Sequence, residues 1–141
     1  MNSEIKSTVE VIKSCDTVQF CTFGLDEYPE TRTILNKMNE DISDLSMLHF
    51  MTARGLPKYR QMEANPHACL YYFNAGTRMS VRLFGTAREI DDAGQRAAYW
   101  RDGFEKFGYA GPDDPDFVLI GFKPESYKFY IGEEEHSGPI A

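Results

Sequence analysis

Two rhythms of apolar and polar positions run along this chain. Ile5, Val9 and Ile12 recur at near-helical spacing behind Ser3, a capping residue, and Asp16 stands beyond the end, which predicts an N-terminal helix. TVQFCTF at 17–23 is β-branched and aromatic and reads as a strand. A hairpin loop over 24–30, with Asp26 and Pro29, leads into a second strand over 31–38, and 39–46 is a polar, acidic connection. Apolar residues 47–51 predict a buried strand, and a polar turn, Thr52-Ala53-Arg54-Gly55, follows. Pro57 then opens a helix at the position where its missing N–H costs nothing. Asn65-Pro66 stops that helix, 67–73 is another strand, and 74–77 is a turn by composition.

The second half continues the pattern. Residues 79–90 predict a long strand interrupted by Gly85, a glycine of the kind that marks a bulge or a bend. Asp91-Asp92 starts a helix reaching about Phe107, with Ala97, Trp100, Phe104 and Phe107 as its apolar stripe. After a loop over 108–116, strands at 117–122 and 127–131 flank a turn at Lys123-Pro124-Glu125-Ser126, and 133–141 reads as a flexible polar tail. Six or seven strands joined mostly by hairpin-like links favour an antiparallel sheet, and a closed or nearly closed barrel removes its edges. Tyr71, Tyr72, Phe73 and Trp100 are expected to serve packing.

Composition narrows the class. At 141 residues the chain is one domain, without an apolar run long enough to span a membrane and without the apolar centre of a signal peptide. A net charge of −7 argues against non-specific nucleic-acid binding. Cys15, Cys21 and Cys69 form no CxxC pair and are expected to be reduced thiols of a cytoplasmic protein, with Cys21 and Cys69 inside the core. His67 and Cys69 share a strand face, but His49 and His136 supply no ligand spacing, so no metal site is predicted.

The cations carry more information. Thr52, Lys58 and the free N–H groups of a helix start fall within a few residues, a place suited to phosphate. Arg32 and Arg82 lie within predicted strands, where a charge needs a partner.

Four segments together, TRTILNK at 31–37, FMTARGLPK at 50–58, NPHACLYYF at 65–73 and SVRLFGTAREI at 80–90, resemble the pyridoxamine 5′-phosphate oxidase-like flavin-binding family, in particular its short general-stress-protein-like branch. The resemblance covers residues 9–131. It implies a mainly β, α+β fold, an antiparallel split β-barrel of six to seven strands with flanking helices, in a homodimer with FMN at the interface. Arg32 would then contact phosphate or ribityl chain, with backbone groups around Thr33 and Ile34 facing the isoalloxazine. Asn36 lies in the same segment. Met51, Thr52 and Lys58 match the family's phosphate-binding pattern, and Ser80 and Arg82 lie on the next flavin-facing strand. Pro57 stands where the oxidase has arginine, Ser80 where it has glutamine, and the C-terminal tryptophan and arginine of the oxidase have no counterpart in HSGPIA. The expectation is therefore an FMN-dependent oxidoreductase acting on a small redox substrate, not pyridoxamine phosphate oxidation, with no catalytic residue assigned. The alternatives are an electron-transfer module, or a flavin-free barrel holding F420 or haem, the latter through His49, His67 or His136.

Overall fold

The structure is a computed structural model that describes residues 2–140. Helix α1 (Ser3–Ser14) precedes strands β1 (Thr17–Phe23), β2 (Pro29–Leu35) and β3 (Leu48–Ala53), then helix α2 (Pro57–Ala64). Strands β4 (His67–Asn74) and β5 (Met79–Ile90), helix α3 (Ala93–Tyr99), and strands β6 (Phe117–Ile131) and β7 (Glu134–Pro139) complete the chain. The strands form one seven-stranded antiparallel sheet in the order β2-β1-β4-β5-β6-β3, with β7 added to β6. The two ends, β2 and β3, are not hydrogen-bonded to each other, so the sheet curls without closing. This is a split barrel.

The period-two alternation decides what lies inside. Val18, Phe20, Leu70, Tyr72, Val81 and Leu83 point inward and are essentially solvent-free, joined by Leu48 and Phe50 of β3. Helix α1 closes one side with Val9 and Ile12, and its N-cap is Asn2, one residue before the expected Ser3, with the Ile5 N–H donating to its Oδ1 at 2.8 Å. A smaller cluster of Met38, Phe104, Phe117 and Leu119 forms on the other side of the β3–β6 pair, with Trp100 edge-on to Phe104 and Phe117. Trp100 and Tyr72 thus serve packing, as the pattern implied.

Four expected boundaries are corrected. The two C-terminal strands are one strand of 15 residues: the expected turn is a β-bulge, with Phe84 opposite Ser126 and Gly85 opposite Pro124, leaving Glu125 extra. A bulge tolerates Pro124, which has no N–H for the ladder. A Cβ on Gly85 would lie 2.1 Å from the Lys123 carbonyl oxygen, so this crossing needs glycine. The polar tail over 133–141 is a strand over Glu134–Pro139, turned back at Gly132 (φ +61°); residue 141 lies outside the described residues. Its side chains are held too, since Glu4 and Glu134 flank the His136 ring at 3.2 and 3.0 Å. The long helix stops at Tyr99, and Gly103 in the left-handed region separates it from a 3-10 turn at Phe104–Phe107. Finally, β2 ends at Leu35, and Lys37 and Met38, expected in the strand, belong to a 3-10 turn over Lys37–Asn39.

Candidate functional site

The open seam between β2 and β3 is where polar groups gather. Arg32 is on β2, and its guanidinium donates to the Phe20 carbonyl (3.1 Å), Thr22 Oγ1 (2.7 Å) and Gln61 Oε1 (3.0 Å). Thr22 donates to the same Gln61 oxygen at 2.6 Å, and Gln61 Nε2 donates to Glu30 at 2.9 Å. All of Arg32's hydrogen-bond acceptors are neutral. Helix α2 supplies Gln61 and, one turn earlier on the same face, Lys58.

Lys58 makes no ion pair among the described residues. Burial, and then the Arg32 charge, push its ammonium below the ordinary lysine value. Burial lowers Arg32 in the same sense, offset partly by Glu30 and Cys21. Two half-buried cations that repel each other favour a bound anion. The α2 N-terminus has Pro57 at its start and no side-chain cap. Near the end of β3, the Thr52 residue is 3% exposed, and its Oγ1 is buried without a hydrogen-bond partner among the described residues. An orphaned hydroxyl of this kind costs about 1–3 kcal/mol. On the strand that leads into the uncapped start of α2, its donor is suited to an oxygen-rich anion.

The other predicted site residues lie elsewhere. Thr33 sits on the outer face of β2, accepting from Gln19 Nε2 at 2.8 Å; β2 ends the sheet, so its alternate backbone groups are free. Ile34 is in the core, and Met51 packs on the smaller cluster. The Asn36 side chain donates to the carbonyls of Ile12 and Cys15, both at 2.8 Å, and accepts from Tyr72 Oη and Asn39 Nδ2. With that capacity used, its side chain is a structural tie between α1, β2 and β4. Ser80 and Arg82 are on the outer face of β5, and the Arg82 guanidinium lies 5.3 Å from the ring centres of Tyr71 and Tyr130. The chain therefore brings Arg32, Thr52 and Lys58 to the seam, and leaves Thr33, Ser80 and Arg82 across the sheet from them.

Gln61 escaped the sequence reading; its three-residue step from Lys58 was the available signal. A second feature is a cavity of about 360 Å3 on the outer face, mostly apolar, lined among others by Cys21, Phe23, His67, Cys69 and Phe84. Cys21 and Cys69 are half-buried, not core thiols, because their strand positions have the outward phase. His67 lines the same cavity, His49 is buried and stacked on Tyr99 at 3.6 Å, and His136 is held by carboxylates. Among the described residues no three His, Cys, Asp or Glu side chains gather into a metal-binding group.

The pyridoxamine 5′-phosphate oxidase family model matches residues 5–130, nearly the whole sheet. The chain belongs to the pyridoxamine 5′-phosphate oxidase family. No curated protein matches it significantly. Among solved structures, a protein related to general stress protein 26 from Clostridium acetobutylicum has a TM-score of 0.83 at 22% identity, covering 95% of this chain and 92% of the other. A pyridoxamine 5′-phosphate oxidase-related, FMN-binding protein from Nostoc punctiforme has a TM-score of 0.74 at 18% identity, covering 100% and 98%. A haem-binding protein from Mycobacterium smegmatis has a TM-score of 0.77 at 13% identity, covering 99% of this chain and 59% of its own. At these identities the likeness is one of fold. Among the described residues no helix is long and apolar enough to cross a membrane.

Proposed function

We propose that this member of the pyridoxamine 5′-phosphate oxidase family binds FMN, with the 5′-phosphate at Arg32, Thr52, Lys58 and the start of α2, and works as an FMN-dependent oxidoreductase on a small redox substrate. The observation that carries this reading is the pair of neighbouring cations at the seam, Arg32 and Lys58, neither in an ion pair among the described residues, with an orphaned Thr52 hydroxyl on the strand at the seam's other edge. Those residues fit a phosphate: a hydroxyl to donate, two positive charges and a free helix start. Bound flavin supplies two-electron redox chemistry, and the chain supplies binding, orientation and electrostatics. The free backbone edge of β2 at Thr33 is suited to a ring with donors and acceptors along one side.

Thr33, Ser80 and Arg82 support a homodimer. They face away from the seam, so a second copy is needed to set such groups against the first copy's phosphate site. The three free thiols agree with a cytoplasmic setting. The test is an absorption spectrum followed by FMN titration with fluorescence detection. Tight binding of one FMN per chain supports the proposal, and saturable reduction by a nicotinamide cofactor would separate an enzyme from an electron-transfer module. A protein that ignores FMN overturns it.

One observation favours a second reading, haem binding: His67 lines an apolar cavity, while the other two imidazoles are buried or held by carboxylates. A Soret band on haem titration that is lost in His67→Ala would support it, and the absence of any Soret band on haem titration would remove it.

A further inference from the structure

Cys21 and Cys69 are direct partners in the β1–β4 ladder. Their register type follows from two hydrogen bonds at the margins of neighbouring ladders. The Gly24 N–H donates to the Tyr28 carbonyl at 2.7 Å, so Gly24, Thr22 and Phe20 turn their backbone groups toward β2. The Ala87 N–H donates to the Pro66 carbonyl at 2.8 Å, so Pro66, Ala68 and Leu70 turn theirs toward β5. The residues between, Cys21 and Cys69, therefore face each other as a hydrogen-bonded pair, with Cα atoms about 5.5 Å apart. That separation lies within the range a disulfide spans.

The two thiols are otherwise loosely held. Cys21 Sγ donates to Thr31 Oγ1 at 3.3 Å, and Cys69 Sγ has only a 3.8 Å contact with the Leu70 carbonyl. Both line the outer-face cavity, which gives a small oxidant access to them. Cys15 sits beyond the other end of β1, its sulfur against the Phe73 carbonyl, out of reach of either.

We propose that Cys21 and Cys69 are a dithiol that hydrogen peroxide closes into a reversible cross-strand disulfide at the floor of this cavity. Burial, and then the neighbouring Cys21, push the Cys69 thiol up to about 11, with Arg82 lowering it in part, whereas the Thr31 hydroxyl 3.3 Å from Cys21 Sγ can turn to donate to a thiolate there; the first attack is therefore at Cys21. Cys21 sulfur takes one peroxide oxygen to become a sulfenic acid, and the O–O bond breaks with release of water. Cys69 sulfur then attacks the sulfenic sulfur, the S–S bond forms, and the hydroxyl leaves with the Cys69 proton as a second water. Two thiols are oxidised and one peroxide is reduced to two waters. A hydrogen-bonded strand pair holds its side chains farther apart than a relaxed disulfide prefers, so the bridge opens readily to a dithiol reductant.

The test is thiol mapping of the purified full-length protein after equimolar hydrogen peroxide, alkylation and tryptic mass spectrometry. Cys15 and Cys21 share one tryptic peptide, so Cys15→Ser is tested beside the unaltered chain. Expected is an intrachain link between the peptides 14–32 and 61–78, retained in Cys15→Ser and reversed by dithiothreitol. In Cys69→Ser, Cys21 should instead stop at the sulfenic acid, trapped by dimedone, since no resolving thiol remains. The proposal is overturned if both cysteines stay alkylatable, if each oxidises independently, if the link joins two chains, or if it depends on Cys15.

Discussion

Arg32 on β2 and Gln61 on α2 are hydrogen-bonded at 3.0 Å across the open seam of the sheet. The same Gln61 oxygen accepts from Thr22, and its amide nitrogen donates to Glu30, so one side chain ties helix α2 to the paired strands β1 and β2 on one side of the seam. Gln61→Leu leaves Thr22 and Arg32 each short of an acceptor. Expected is a loss of about 2–4 kcal/mol in urea unfolding, from two donors stranded at least partly out of water. A loss under about 0.5 kcal/mol, the scale of a neutral surface change, would show that this contact does not hold the seam.

Thr52→Val tests the orphaned hydroxyl from both sides. Valine keeps the shape and removes an unsatisfied buried donor, so the flavin-free protein should gain about 1 kcal/mol in stability. FMN affinity should fall by about tenfold, the worth of one hydrogen bond to a charged group. Thermal melts with and without FMN read both effects. Loss of stability without loss of affinity would place the hydroxyl in a structural role.

Gly85→Ala forces a Cβ to within 2.1 Å of the Lys123 carbonyl oxygen, and backbone yields less than side chain. Expected is a destabilisation of at least about 2 kcal/mol by denaturant titration, with the β5–β6 bulge disturbed. A melting curve matching the unaltered protein would mean that the two strands separate here at little cost.

His49 gives the fold a dependence on pH. Burial, and then the Arg101 charge, hold its imidazole down to about 4, against 6.5 unfolded. The unfolded chain therefore takes up the proton first as pH falls. Stability contributed by neutral His49 is complete above 6.5 and declines toward about 4, by at most about 1.4 kcal/mol per pH unit. His49→Phe keeps a ring against Tyr99 and should flatten that part of the stability profile. An unchanged slope would place the sensitivity on other groups.

Much of this was legible in the sequence because period-two strands advertise themselves. β1 was bounded to the residue, β5 likewise, and Gly85 announced the bulge. What misled was composition read locally. KPES has the residues of a turn yet forms a bulge, and GEEEHSGPIA has those of a tail yet pairs through its backbone, which composition does not report. Thr52 and Lys58 could be placed together because six residues and one turn separate them. Gln61 and the Cys21–Cys69 pairing depend on which strands and helices become neighbours, and only the fold supplies that. Asn36 looked like a ligand contact for the same reason: three of its four partners come from two distant segments, the end of α1 and β4.

The most direct measurement compares FMN with riboflavin, which lacks only the phosphate, in fluorescence titrations of the unaltered protein and of Lys58→Ala. Expected is one FMN per chain, riboflavin weaker by at least about a hundredfold, and a Lys58→Ala protein that loses about tenfold for FMN while riboflavin is unaffected. Equal affinity for the two flavins, or an FMN constant unmoved by Lys58→Ala, would contradict the phosphate site at the seam.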